Sequence, residues 1–248
     1  MIKVFIVGID GKMGRAVCEC ISKTDDFELV GGYDVIPDMD FKVFTDTKDM
    51  ADIDFDVMID FSRPNTLDIV SEICTKFKKP VVIATTGYNE AELKKIDKLS
   101  KTVPVFLSGN MSVGIFIMQK LVELATKNTS GEFDIEIIEK HHNQKVDSPS
   151  GTAKMIADTV NSATKNNLDF VYRGHGDNTK RKPNEVGIHS VRGGTIVGEH
   201  EVIFAGFDEV ITITHSALSR KIFADGALKA AKFLITQKSG LYSMKDMI

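Results

Sequence analysis

Up to about residue 110, short apolar runs alternate with amphipathic segments; beyond it the rhythm changes to strand-like alternation around two helices. Ile2 to Val7 is apolar and β-rich, the pattern of a strand buried on both faces. Phe27 to Tyr33, Asp56 to Phe61, the start of PVVIATTGY and Pro104 to Leu107 repeat it. Helical periods lie between them: one after Gly14, one from the Ser62-Arg63-Pro64-Asn65 turn through about Lys78, and a charged one from Asn89 to about Lys101. Strands alternating with helices predict a parallel, doubly wound sheet, whose ligands sit at the carboxyl ends of the strands.

The second half predicts a helix over Val113 to Lys127, a strand over Phe133 to Lys140 and a further helix over Gly151 to Thr164. Lys165 to Gly187 is polar and reads as a long loop. Ile188 to Arg192, Thr195 to Ala205 and Glu209 to Ser216 then read as consecutive strands joined by glycine turns, an antiparallel meander. Arg220 to Thr236 is a closing amphipathic helix.

The glycines sharpen this. Gly8, Gly11 and Gly14 follow the first strand at three-residue spacing, where glycine permits a tight turn, backbone approach to a pyrophosphate and close helix–strand packing. Asp34 ends the second strand twenty residues beyond Gly14, where a ribose-binding acid belongs. A tight βα turn with no ligand would use the same glycines, but the loops at Gly8–Gly14, Asp34, Phe61–Pro64, Thr85–Gly87 and Ser108–Met111 all fall at one edge of such a sheet. The expected architecture is therefore a Rossmann-like dinucleotide-binding domain of residues 1–110 and 217–248. Residues 111–216 form a second α+β domain with a mostly antiparallel sheet, for substrate binding and oligomerisation. The crossings near Asn110–Val113 and Ser216–Ser219 are candidate hinges.

Composition removes several classes. At 248 residues with 42% hydrophobic and 27% charged residues, the chain has the balance of a soluble globular protein. A net charge of −4 and no basic block argue against a nucleic-acid partner. The N-terminal apolar run is too short for a signal peptide or membrane span, which predicts a cytoplasmic protein with no membrane partner. Cys18, Cys20 and Cys74 lack the count and spacing of a disulfide framework or zinc site and read as buried thiols. The six histidines lack partners at ligand spacing, so no metal is expected.

The densest chemistry is Glu139 to Ala153, EKHHNQKVDSPSGTA. Histidine has an unperturbed pKa near neutrality, so His141 and His142 are the residue type that suits proton transfer. Lys145 can hold a carboxylate. Ser148 is a candidate N-cap with Pro149 at the first helical position, and the free N–H groups there, beside Gly151, would suit an anion. On a strand His141 and His142 would face opposite ways, so both serve one pocket only if the strand ends or bulges there. A plain strand, solvated turn and capped helix fits the same local pattern.

Taken in order, the glycine loop with Lys12-Met13-Gly14, DFSRP, ATTGY, NMSVG, HHNQKVDSPSGTA, SVRGG, GEHEV and ITHSALSR resemble the 4-hydroxy-tetrahydrodipicolinate reductase (dihydrodipicolinate reductase) family from residue 2 to about 235. The resemblance implies nicotinamide-dependent reduction of a cyclic dicarboxylate with loss of water, in lysine and diaminopimelate biosynthesis. It implies His141 as general acid and Lys145 as second proton donor and carboxylate partner. His142, Gly151 and Thr152 would contact substrate. It assigns the cofactor to Gly8, Ile9, Asp10, Gly11, Lys12, Met13, Asp34, Ala84, Thr85, Thr86, Ser108, Gly109, Asn110 and Met111, and implies a homotetramer. Arg220 is a candidate for the second carboxylate or an exposed helix-start arginine, and Arg63 lines the cofactor site or caps its turn. His189, His200 and His215 read as packed or hydrogen-bonded strand residues. Where NADPH users of the family tend to carry arginine after the acid of the second strand, this chain has Val35, so NADH is the expected cofactor, with NADPH as the alternative. Two other readings fit the architecture: a dehydrogenase of another anionic amino or keto acid, and a non-catalytic NADH-sensing module.

Overall fold

The computed structural model describes every residue except 37, 39, 40, 51, 52, 130, 165–167 and 173–179. The chain divides into two compact units, Met1–Ser112 with Arg220–Ile248, and Val113–Ser219.

The first unit runs β1 (Ile2–Val7), α1 (Lys12–Ile21), β2 (Phe27–Tyr33), β3 (Val43–Phe44), β4 (Val57–Asp60), α2 (Leu67–Phe77), β5 (Val81–Ile83), α3 (Glu90–Ser100) and β6 (Pro104–Leu107). The second holds α4 (Val113–Thr129), β7 (Asp134–His141), α5 (Gly151–Ala163), β8 (Asp169–Val171), β9 (Glu185–Arg192), β10 (Gly198–Ala205) and β11 (Val210–Ala217). The chain then returns to the first unit with α6 (Lys221–Leu234), β12 (Gly240–Tyr242) and α7 (Met244–Met247).

The first sheet has the order β12-β6-β5-β4-β1-β2-β3 with every pairing parallel. Its strand order reverses between β1 and β4, the switch point where such sheets bind ligands. The strands are apolar on both faces because helices cover both. Phe5, Val7, Met58, Val81 and Ile83 share a core with Leu67, Val70 and Ile73 of α2 and Ile96 and Leu99 of α3. On the other side α6 packs on β4, β5, β6 and α1, with Ala224, Ala227, Ala230 and Ala231 fully buried. Small residues there let the helix come close: a Cβ on Gly226 would lie 1.8 Å from the Met111 carbonyl oxygen.

The second sheet departs from the meander expected from its strand spacing. Its order is β11-β10-β7-β9-β8, so β9 and β10, neighbours in sequence, are separated by β7. The β10 pairings with β11 and β7 are antiparallel, whereas β7–β9 and β8–β9 are parallel, which makes the sheet mixed rather than mostly antiparallel. β7 wins the central place because its buried face, Ile135 and Ile137, continues Val202 and Phe204 of β10 and Val186 and Ile188 of β9 into one core under α4 and α5. The stretch expected as one loop contains β8 and the start of β9; its residues 165–167 and 173–179 lie outside the described part. Of the three free thiols, only Cys74 is buried; Cys18 and Cys20 are half-buried.

Candidate active site

In the first unit the expected cofactor residues gather at the carboxyl edge of the sheet. Backbone hydrogen bonds carry the ladder one step past each strand end: Gly8 N to Tyr33 O at 2.9 Å, Phe61 N to Val7 O at 3.1 Å, Ala84 N to Asp60 O at 2.9 Å and Ser108 N to Ile83 O at 3.2 Å. The loops bearing Gly8–Met13, Asp34, Ala84–Thr86 and Ser108–Met111 are thereby fixed side by side.

The glycines have separate duties. Gly8 has φ +77°, and a Cβ there would lie 2.8 Å from Phe61 O. On Gly14 a Cβ would lie 2.2 Å from Gly8 O, so the first turn of α1 rests directly on the loop. Gly11 is exposed, and its Cβ would meet only Gly8 O, at 3.2 Å. Such a cradle, open at Gly11 and closed by backbone at Gly8 and Gly14, fits a dinucleotide pyrophosphate at the start of α1. Ile9 is fully buried, and its side chain fills the space a Cβ on Gly32 would take.

Asp34 is tied down at the end of β2: Oδ2 accepts from Asp10 N at 3.0 Å and Oδ1 from Val35 N at 2.8 Å. Arg15 donates to both Asp10 Oδ1 and Asp38 Oδ2 at 3.0 Å, and Asp38 N donates to Asp10 Oδ2. Asp10 and Asp38 thus share one guanidinium, and Asp34 is joined to them through the Asp10 N–H. Arg63 is exposed at the cap of the short helical turn Pro64–Thr66, with its N–H given to Thr66. Asp60 at the end of β4 is almost completely buried, and burial raises its pKa against the hydroxyl and backbone donors that lower it.

In the second unit, β7 ends at His141, so His142 leaves the strand and the alternation that would have set the histidines on opposite faces stops there. The buried face of β7 reads Ile135, Ile137, Glu139, His141, and that of β10 reads Phe204, Val202, His200, Gly198. Their register pairs Ile135 with Phe204, Ile137 with Val202 and Glu139 with His200. Both strands pass from apolar to polar at the same end, and β9 adds Arg192 opposite His141.

Glu139 has no exposed surface and accepts from every side. Arg192 donates to both its oxygens at 2.7 Å, Ser150 N to Oε1 at 3.1 Å, and His141 Nδ1 lies 2.6 Å from Oε2. Burial alone would raise the Glu139 pKa; these donors outweigh it and hold the carboxyl at about 2. Burial is also the largest influence on His141 and lowers its pKa, Glu139 opposing it and Lys145 and Arg192 adding to it. His200, its ring 5.2 Å from that of His141, is pushed down to about 4, chiefly by burial. It meets the Ser150 hydroxyl at 2.9 Å.

The helix opening differs from expectation. Ser150, not Ser148, is the N-cap of α5: its Oγ accepts from Ala153 N at 3.1 Å, and Pro149 precedes the helix instead of occupying its first position. The two serines are equivalent in local pattern; the Glu139 carboxylate distinguishes them by engaging the Ser150 N–H. Gly151 is exposed, and no heavy atom lies within 4 Å of where its Cβ would be. His142 and Lys145 close a turn, Lys145 N donating to His142 O, and the Lys145 ammonium pairs with Asp147 at 2.7 Å. Arg220 belongs to the first unit, exposed at the cap of α6. The sequence reading gave no role to Glu139 or Arg192, and none to His200 beyond packing or a hydrogen bond to a neighbour, which the Ser150 contact supplies. The available signal was their period-two spacing to His141 and Gly198 on strands that otherwise bury apolar groups.

A parallel sheet of this order, with a glycine turn at its switch point and an acid closing its second strand, defines a Rossmann-type dinucleotide-binding protein; here it carries a second unit with a histidine–carboxylate centre. Residues 2–111 match the family description "Dihydrodipicolinate reductase, N-terminus" and residues 114–248 "Dihydrodipicolinate reductase, C-terminus". The chain belongs to this family of NAD(P)H-dependent oxidoreductases. It is 52% identical over 250 residues to a 4-hydroxy-tetrahydrodipicolinate reductase of Caldanaerobacter subterraneus subsp. tengcongensis, covering 100% of this chain and 98% of that one. A Clostridium tetani protein of the same name is 46% identical, covering 100% and 97%. Among solved structures, dipicolinate-bound dihydrodipicolinate reductase from Paenisporosarcina sp. TG-14 shares the fold, with a TM-score of 0.80, 24% identity and full coverage of both chains. Among the described residues no helix is long and apolar enough to cross a membrane.

Proposed function

We propose that this protein reduces 4-hydroxy-tetrahydrodipicolinate to tetrahydrodipicolinate with loss of water, in lysine and diaminopimelate biosynthesis. The observation that carries the reading is full-length similarity to reductases of that name, joined to a buried acid–base centre in the stretch the family resemblance marks.

When bound, NAD(P)H supplies a hydride. The residues disposed to hold it are Gly8 to Met13, Asp34, Ala84 to Thr86 and Ser108 to Met111. His141 meets the electron density that reduction adds to the ring by donating a proton, and recovers it from water. Lys145 holds a substrate carboxylate, exchanging its exposed Asp147 partner for the ligand, and serves as the second proton donor. His142 contacts substrate, the N–H groups of Gly151 and Thr152 at the α5 start receive a carboxylate, and Arg220 offers a guanidinium to the other.

NADH is the preferred cofactor in this reading. Asp34 can accept from a ribose 2′-hydroxyl, whereas a 2′-phosphate would meet Asp10, Asp34 and Asp38, with Arg15 already neutralised. The protein is also read as a cytoplasmic homotetramer. Three free cysteines suit a reducing compartment. The edge strand β11, with Val210 and Ile211 exposed, supports association through the second sheet. Sedimentation velocity tests the assembly; a monomer at micromolar concentration would refute it. The central test is oxidation of NADH by the purified protein with freshly generated 4-hydroxy-tetrahydrodipicolinate. Turnover is expected, and its absence with correctly folded protein overturns the reading.

A further inference from the structure

We propose that Glu139 is a positioning residue for His141: clamped by Arg192 and Ser150, its carboxylate takes the Nδ1–H hydrogen bond and leaves Nε2 as the proton-donating atom. The inference rests on His141 being the general acid.

Geometry comes first. Glu139 and His141 are two apart on β7, so their side chains share the buried face, and Nδ1 lies 2.6 Å from Oε2. A carboxylate with no exposed surface is expensive to bury unless its lone pairs are occupied. An ionised carboxylate offers about four acceptor positions, and here two guanidinium N–H groups, one backbone N–H, the Ser190 side chain and the imidazole compete for them. Such an acceptor cannot donate, so the shared proton belongs to Nδ1, which fixes the imidazole tautomer.

The opposite edge of the ring is kept clear. Gly198 faces it from β10, and a Cβ there would lie 3.1 Å from Nε2 and 3.4 Å from Cδ2. The charged and titratable groups facing His141 are Glu139 on its own strand, Arg192 on β9, His200 on β10, and Lys145 with its partner Asp147 on the turn after β7. His200, held largely neutral at working pH, adds little charge. The proton balance is simple. In the imidazolium both nitrogens carry a proton; Nε2 gives one to substrate, Nδ1 keeps the other on Glu139, and water restores the first. Glu139 never takes a proton, and its negative charge keeps a buried histidine basic enough to be reloaded.

The experiment begins with the unmutated protein. In ¹⁵N-labelled protein at a pH above its pKa, with His141 assigned by comparison with H141Q, neutral His141 should show protonated Nδ1 and bare Nε2. The Nε2–H tautomer would overturn the proposal, and this result does not depend on Glu139→Gln folding.

Glu139→Gln then tests the consequence. It removes the influences that raise the His141 pKa while burial, Lys145 and Arg192 still lower it. The alkaline limb of the kcat profile should therefore move to lower pH. The deficit should grow by up to about tenfold per pH unit between the two limbs and shrink toward acid, with NADH affinity unchanged. A deficit equal at every pH would mean a purely structural role and refute the proposal. If His141→Gln turns over normally, the general-acid reading itself falls; if that variant is inactive while the Nε2–H tautomer is found, only the positioning role falls.

Discussion

His141 and Lys145 are assigned different work, and substitution should separate them. His141→Gln keeps polarity but removes the titratable proton, so kcat should fall by about 10²–10⁴-fold with little change in KM. Lys145→Ala removes a charge that pairs with substrate in ground and transition states alike, so KM should rise as kcat falls. Normal turnover by His141→Gln would make Lys145 the leading donor. His200 gives a separate, thermodynamic prediction. Burial sets its folded pKa at about 4, below the roughly 6.5 of an exposed histidine. The unfolded chain therefore takes up the proton first. The stability that neutral His200 represents is complete above about pH 6.5 and is lost as pH falls toward 4, by roughly 3 kcal/mol. Glu139, depressed to about 2, continues the loss below the ordinary carboxylate range. Denaturant unfolding at pH 7 and pH 4.5 should show a smaller acid loss in His200→Gln than in the unmutated protein; equal losses would exclude His200 as a source of acid sensitivity. The histidine and lysine were visible in the sequence because they stand in one local run. Glu139, Arg192 and His200 were not, because their meaning depends on which strands become neighbours.

Elements show the same division between local and long-range information. Ile2–Val7, the glycine loop and Lys12–Ile21 are specified within about twenty residues, and the structure follows that reading closely. The order of the second sheet is not local: β9 and β10 are joined by a short connection that suggests a hairpin, yet β7 lies between them. Apolar faces matched across three strands decide that order, and no single stretch contains the information. The insertion makes the centre, bringing β9 and β10 to either side of Glu139. The N-cap was misread by two residues for a related reason, since only the distant Glu139 distinguishes Ser150 from Ser148. For the β1–α1 turn, two glycine substitutions should differ in kind. In Gly14→Ala the new methyl would lie 2.2 Å from Gly8 O and 2.5 Å from Ile9 O, both backbone, so α1 must shift. A loss of about 1–3 kcal/mol or more, read as a lowered Tm, is expected. Gly11→Ala meets only Gly8 O at 3.2 Å, in an ordinary N-cap conformation, and should leave Tm nearly unchanged while weakening NADH binding. Equal Tm losses would contradict the separate duties given to these glycines.

At the scale of the molecule, the proposed cofactor residues all lie in Met1–Ser112 and the histidine–carboxylate centre in Val113–Ser219, each unit with its own sheet and core. Binary NADH affinity should therefore depend on the first unit's residues and remain indifferent to the second's. In the proposed reading the first unit sets the choice of cofactor through charge. Asp34 receives two backbone N–H groups that fix its carboxylate at the end of β2, and Asp10 and Asp38 share Arg15, leaving an acidic surround for a 2′-phosphate. Lys12, exposed at the start of α1, offsets part of that repulsion. Titrating both cofactors by fluorescence should give tighter binding of NADH than NADPH. Asp34→Ala should narrow the gap by removing a hydrogen bond to one cofactor and a repulsion from the other. Lys145→Ala and His141→Gln should leave both cofactor affinities unchanged, while Lys145→Ala weakens binding of pyridine-2,6-dicarboxylate, a flat dianionic mimic. A clear NADPH preference in the unmutated protein would refute the charge argument. If Lys145→Ala changed NADH affinity as much as Asp34→Ala does, the assignment of the cofactor to the first unit alone would be wrong.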